Sequence, residues 1–101
     1  MIASTHERLI LAVRGEAKLL KPLFSDVFRH GKTHASSHPC EKPVALLSDL
    51  IKTVTMEGEA VLDPFAGCGA TIVAAQRLGQ QAVGIEIEER WYSEAIDRLR
   101  R

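Results

Sequence analysis

Two short groups of residues carry the chemistry this sequence is equipped for. The first is Asp63-Pro64-Phe65-Ala66-Gly67-Cys68-Gly69-Ala70-Thr71, preceded by the apolar Val61-Leu62. An apolar run that breaks into two closely spaced glycines and then into helix formers reads as strand, turn and helix. Glycines there let the backbone approach a ligand with no Cβ in the way, and the first N–H groups of the following helix suit a polar or anionic group. The second group is Gly84-Ile85-Glu86. It places a carboxylate at the end of the next apolar run, about twenty residues after the turn, where nucleotide-binding α/β sheets keep the acid that accepts hydrogen bonds from ribose hydroxyls. Alone, Glu86 reads as a solvated strand-end glutamate; with the glycine turn in the right order and separation, the ribose role is favoured. A dinucleotide fingerprint would want a third small residue where Ile72 stands, so a nicotinamide or flavin cofactor is disfavoured.

Other constellations are weaker. His30, His34, His38 and Cys40 recur in one loop and are of types that hold Zn²⁺, but no second cysteine pair accompanies them and no metal is expected. Cys68 has no histidine tied to it by sequence, so a nucleophilic role is not expected. Trp91 is expected in the core or lining a cleft. Glu88 and Glu89 suit the first turn of a helix electrostatically. Lys42, in the loop His38-Pro39-Cys40-Glu41-Lys42-Pro43, reads on its own as a surface lysine.

The elements that must position these groups follow from periodicity. Residues 7–14, rich in β-formers and stopped by Gly15, predict a strand covered on both faces. Residues 25–29 predict a second short strand, and 30–43 a loop. Val44, Leu47, Leu50, Ile51 and Val54 share one helical face, with Pro43 suited to its start. After Gly58 the chain predicts a buried strand over 60–63, the glycine turn, a helix over 70–78 closed by Gly79, a strand over 81–86, and a last helix over 89–100 with Tyr92, Ala95, Ile96 and Leu99 inward. Strand, turn, helix, strand, helix is the opening of a doubly wound, parallel α/β sheet.

Composition bounds the rest. The 101 residues suit one small domain, and 46% apolar content is ordinary for a globular chain. No apolar run is long enough to span a bilayer, no signal peptide is evident, and two cysteines make no disulfide framework; a cytoplasmic location is expected. Net charge is zero, which argues against strong nucleic-acid binding by the chain alone. Residues 1–43 hold seven Lys/Arg against four Asp/Glu and all four histidines, and residues 44–101 six against nine; scatter explains so weak an asymmetry better than a binding surface does.

Taken together, His38-Pro-Cys-Glu-Lys-Pro43, the helix after it, Asp63-Pro-Phe-Ala-Gly-Cys-Gly-Ala-Thr71, Gly84-Ile-Glu86 and the closing Arg90-Trp91-Tyr92 helix strongly resemble the C-terminal half of DNA N6-adenine/N4-cytosine methyltransferases, in the subgroup whose cofactor motifs follow the catalytic motif. The resemblance is strong over 38–100 and weaker over 6–37. It implies a single partial domain over 1–101, with 1–37 a strand-and-loop segment and 38–101 the cofactor-binding segment. Its fold would be a partial Rossmann-like S-adenosylmethionine-dependent methyltransferase fold, α/β with a mostly parallel sheet. It implies S-adenosylmethionine as cofactor, with Lys42 bordering the methionine end, Asp63, Phe65, Gly67 and Gly69 forming a wall, Thr71 near the carboxylate and Glu86 on the ribose. Cys68 and Ala70 stand where the family usually has Ser and Thr, so one or two hydroxyl hydrogen bonds to the cofactor are expected to be missing.

The family catalyses with an Asp/Asn/Ser-Pro-Pro-aromatic loop that holds the flipped base and its exocyclic amine. None of the four prolines here adjoins another, so no catalytic residue is assigned. In the family, the strands around that loop separate strand 60–63 from strand 7–14. Their absence implies unpaired edges within the sheet and hence an oligomer, segment-swapped or paired with a separate catalytic polypeptide. Two functions compete: the cofactor-binding part of a DNA methyltransferase of the restriction–modification kind, with DNA as partner of the complete enzyme, or an inactive cofactor-binding remnant, such as a truncated prophage gene leaves, or regulatory module.

Overall fold

The computed structural model describes residues 7–16, 28–30 and 42–101. Within them the order is α1 (Val44–Val54), β1 (Ala60–Asp63), α2 (Ala70–Arg77), β2 (Gln81–Gly84) and α3 (Glu89–Leu99).

Pro43 occupies the position before α1 with φ −58° and accepts the first helical hydrogen bond, from the Leu47 N–H at 3.2 Å. The helix ends where the Thr55 N–H and hydroxyl both donate to the Ile51 carbonyl, at 2.9 and 2.7 Å. Thr53, buried, donates its own hydroxyl to the Asp49 carbonyl, so its polarity is satisfied inside the fold. The chain turns at Gly58, in the left-handed region at φ 88°, and enters β1.

β1 and β2 pair in parallel, Ala60 opposite Gln81 through Asp63 opposite Gly84, with α2 as the crossover. The backbone ladder continues past the strands: Ile85 N–H donates to the Asp63 carbonyl and Ala66 N–H to the Ile85 carbonyl, each at 2.9 Å. Val44 and Ile51 of α1 pack on Ala70, Ala74 and Ala75 of α2, joined by Leu47, Val61, Val73, Leu78 and Ala82. Ala74 and Ala75 are fully buried; their small side chains let the helices approach closely. This is an α/β unit with a small parallel sheet, a partial Rossmann-like fold.

Three expectations are corrected. Residues 7–14 form no strand: Leu9, Ile10, Leu11 and Val13 are exposed, Ile10 at 94%. β-propensity expresses packing against a neighbouring strand and a covered face, and the described sheet has only β1 and β2. Nor are Phe28 and Arg29 in a strand; 25–27 lie outside the described residues, as do His34, His38 and Cys40. Strand 60–63 is covered on one face only. Val61 and Ala82 pack toward the helices, while Leu62 and Val83 on the other face are 65% and 58% exposed. Elsewhere the differences are slight: β2 stops at Gly84, and Val54 and Tyr92, expected inward, are exposed. No helix among the described residues is long and apolar enough to cross a membrane.

Candidate functional site at the β1–α2 turn

The turn between β1 and α2 is held one N–H at a time. Phe65 N–H donates to the Asp63 carboxylate at 3.0 Å, a local turn typical of aspartate. Ala66 N–H donates to the Ile85 carbonyl at 2.9 Å. Gly67 N–H donates to the Glu86 carboxylate at 2.8 Å, and Gly69 N–H returns to the Ala66 carbonyl at 2.9 Å. Gly67 and Gly69 both sit in the left-handed region, φ 55° and 89°, a conformation cheap only for glycine.

A Cβ on Gly69 would lie 3.2 Å from the Ala95 Cβ, so the missing side chain there also admits α3. Gly84 is under the same constraint: its Cβ would meet the Ala66 Cβ at 2.9 Å and the Ile72 Cδ1 at 3.0 Å. Sequence inspection passed over Gly84 as a packing residue, since its contacts come from separate elements.

The expected lost hydroxyls also look different in three dimensions. Cys68 and Ala70 are buried, 2% and 6% exposed. Cys68 Sγ accepts a hydrogen bond from the Arg98 guanidinium at 3.7 Å, and Ala70 belongs to the core. Both side chains face the protein. In the sequence Arg98 reads only as part of the closing helix, because nothing local links α3 to the turn.

Of the residues singled out from sequence, Asp63, Phe65, Gly67, Gly69, Thr71 and Glu86 are brought together around this turn. Phe65 stands 89% exposed. Glu86 is half-buried; its second oxygen accepts the Glu88 N–H at 3.2 Å, just ahead of α3. Lys42 is tied instead to Glu7 by an exposed ion pair. His30 pairs with Asp49 of α1 at 3.0 Å. Arg90 stacks over the Trp91 ring at 4.5 Å, which occupies a face of the tryptophan. No cluster of metal-ligating side chains is found among the described residues.

With the N–H groups of Phe65, Ala66, Gly67 and Gly69 engaged internally, the turn presents the remaining lone pairs of the Asp63 and Glu86 carboxylates and the bare Phe65 ring, beside the uncapped start of α2. The carboxylates suit hydrogen-bond donors and positive charge on a ligand, and the helix start suits an anionic group.

Comparison with known proteins bears on what that ligand is. A family model described as DNA methylase, for N6 and N4 methyltransferases, matches residues 8–97. The chain is 37% identical over 94 residues to YubD of Escherichia coli (strain K12), described provisionally as a methylase, covering 93% of this chain and 41% of that protein. It is 45% identical over 65 residues to the type II methyltransferase M2.DpnII of Streptococcus pneumoniae, covering 64% of this chain and 24% of that one. Among solved structures, the M1.HpyAVI–SAM complex superposes with a TM-score of 0.69 at 31% identity, over 82% of this chain and 43% of that one. The chain thus spans less than half the length of these relatives.

Proposed function

Because the chain belongs to the DNA methylase family, we propose that it supplies the S-adenosylmethionine-binding segment of an enzyme that methylates an exocyclic amine of adenine or cytosine in DNA. The observation that carries this reading is the meeting of the Glu86 carboxylate with Gly67 of the turn, 2.8 Å apart. It puts a carboxylate and the glycine bend at adjacent strand ends, where open α/β sheets bind ligands. The residues fit the cofactor in kind. Ribose hydroxyls donate to the lone pairs left on Glu86, and the Asp63 carboxylate favours a ligand that carries an ammonium and a sulfonium. Phe65, Gly67 and Gly69 line the wall, Thr71 lies in the first turn of α2 near the cofactor carboxylate, and Lys42 borders the methionine end. The bound cofactor supplies an electrophilic methyl group. This segment's task is to hold that methyl in line with the amine, since positioning is a large part of such catalysis.

The base pocket belongs to another segment, because no Pro-Pro pair occurs in the sequence. The bare faces of Leu62 and Val83 support an assembly in which further strands, from a second copy or a separate catalytic polypeptide, complete the sheet. DNA is the partner of that assembly. The same missing pair favours a second reading for the chain alone, a cofactor-binding remnant without activity.

Calorimetric titration with S-adenosylhomocysteine tests the pocket: binding that weakens in Glu86→Ala is expected, and no heat at high protein concentration refutes it. Methyl incorporation into DNA, with and without a polypeptide carrying the Pro-Pro-aromatic loop, separates enzyme segment from remnant.

A further inference from the structure

We infer that Glu86 is a positioning residue as well as a ribose acceptor: before any ligand arrives, its carboxylate sets the shape of the glycine turn and fastens that turn to the start of α3. The inference deepens the proposed function, and its affinity arm rests on that reading. One carboxylate oxygen takes the Gly67 N–H at 2.8 Å, and the other takes the Glu88 N–H at 3.2 Å. Glu88 is the residue that caps α3, and its carbonyl accepts the Tyr92 N–H at 3.0 Å. A single side chain therefore clamps the exit of β1 and the exit of β2 to one another. Backbone bonds between Asp63, Ile85 and Ala66 run alongside, but they stop one residue short of Gly67. Gly67 is in a left-handed conformation, and glycine has more conformational freedom to lose than any other residue. A charge-assisted bond to its N–H is what selects one geometry.

Ribose hydroxyls donate to lone pairs of the same oxygens, so ligand binding leaves both internal bonds in place. The carboxylate thus meets the ligand already oriented by the backbone it orients, which reduces the ordering cost of binding.

Two measurements on Glu86→Ala and Glu86→Gln separate this role from simple ribose recognition. The first is amide hydrogen exchange at Gly67 and Glu88 in ligand-free protein. Exchange at both should rise by about tenfold or more in Glu86→Ala, as loss of a bond to a charged group implies. Glu86→Gln keeps one oxygen acceptor and should retain protection at Gly67 while losing it at Glu88. The second is affinity for S-adenosylhomocysteine and for its 2′,3′-dideoxy analogue. Glu86→Ala should weaken both, the dideoxy compound included, with Glu86→Gln intermediate for that compound. Unchanged exchange at Gly67 and Glu88 in both variants would overturn the inference, as would a dideoxy analogue bound equally by wild type and Glu86→Ala. If neither nucleoside binds wild-type protein while the amides lose protection as stated, the cofactor reading fails and the clamp stands.

Discussion

Gly84→Ala puts the close packing of the site to a quantitative test. Gly84 ends β2, opposite Asp63, and a Cβ there would come within 2.9 Å of the Ala66 Cβ and 3.0 Å of the Ile72 Cδ1. Carbon atoms rest about 3.5–4.0 Å apart at their optimum, so each contact is too short by roughly half an ångström or more. The Ile72 terminus has some freedom to rotate away. The Ala66 Cβ moves only with its backbone, and that backbone is fixed by the Ala66 N–H bond to Ile85. Overpacking of this kind costs about 1–3 kcal/mol. For a domain of this size that lowers Tm by about 4–8 °C per kcal/mol. Urea unfolding followed by circular dichroism should show a lower midpoint with an unchanged slope. The cycle with Ala66→Gly identifies the cause: the double variant should recover part of the loss, with a coupling energy of about 0.5–3 kcal/mol. If Gly84→Ala unfolds within about 0.5 kcal/mol of wild type, or the two changes add without coupling, then the contact between β2 and the turn is not as close as described, and the reasoning fails.

Other outcomes follow from the same geometry. Gly69→Ala combines a left-handed backbone at φ 89° with a 3.2 Å approach to Ala95 and should cost at least about 1 kcal/mol, more than a surface change; a smaller loss on thermal denaturation would show that α3 is not seated there. Glu7→Gln removes an exposed ion pair with Lys42 and should change stability by less than about 1 kcal/mol; a larger change in urea midpoint would mark residues 7–16 as integral to the fold. Thr53→Val deletes a buried hydroxyl bond to the Asp49 carbonyl and should cost about 0.5–1.5 kcal/mol by the same measurement; a stabilised variant would contradict that. Light scattering should find the chain assembled with itself or a partner through the Leu62 and Val83 face; a stable monomer at high concentration argues against completion of the sheet.

Much of the α/β unit was legible in the sequence because its signals are local. The helical spacing of Val44, Leu47 and Ile51, the breaks at Gly58 and Gly79, and the run from Val61 into two glycines each specify an element within a few residues. Placing Glu86 at the turn was legible too, because strand order and crossover length leave little choice. Residues 7–14 misled for the opposite reason: Leu9 to Val13 have strand composition, but pairing depends on neighbours that the composition does not contain. The side-chain directions at Cys68 and Ala70 were hidden because they depend on α3 and α1, which come together with the turn only on folding. The packing of Gly69 on α3 was hidden for the same reason, since Ala95 lies far along the chain.

The attachment of α3 has one more implication. This helix leans on the rest of the fold at Ala95 against Gly69 and at Arg98 on Cys68, and it is tethered through Glu88 to Glu86. All these anchors converge on one short stretch of backbone. Opening of α3 therefore strips these supports from the turn in one event, and whatever steadies the turn also favours the docked helix.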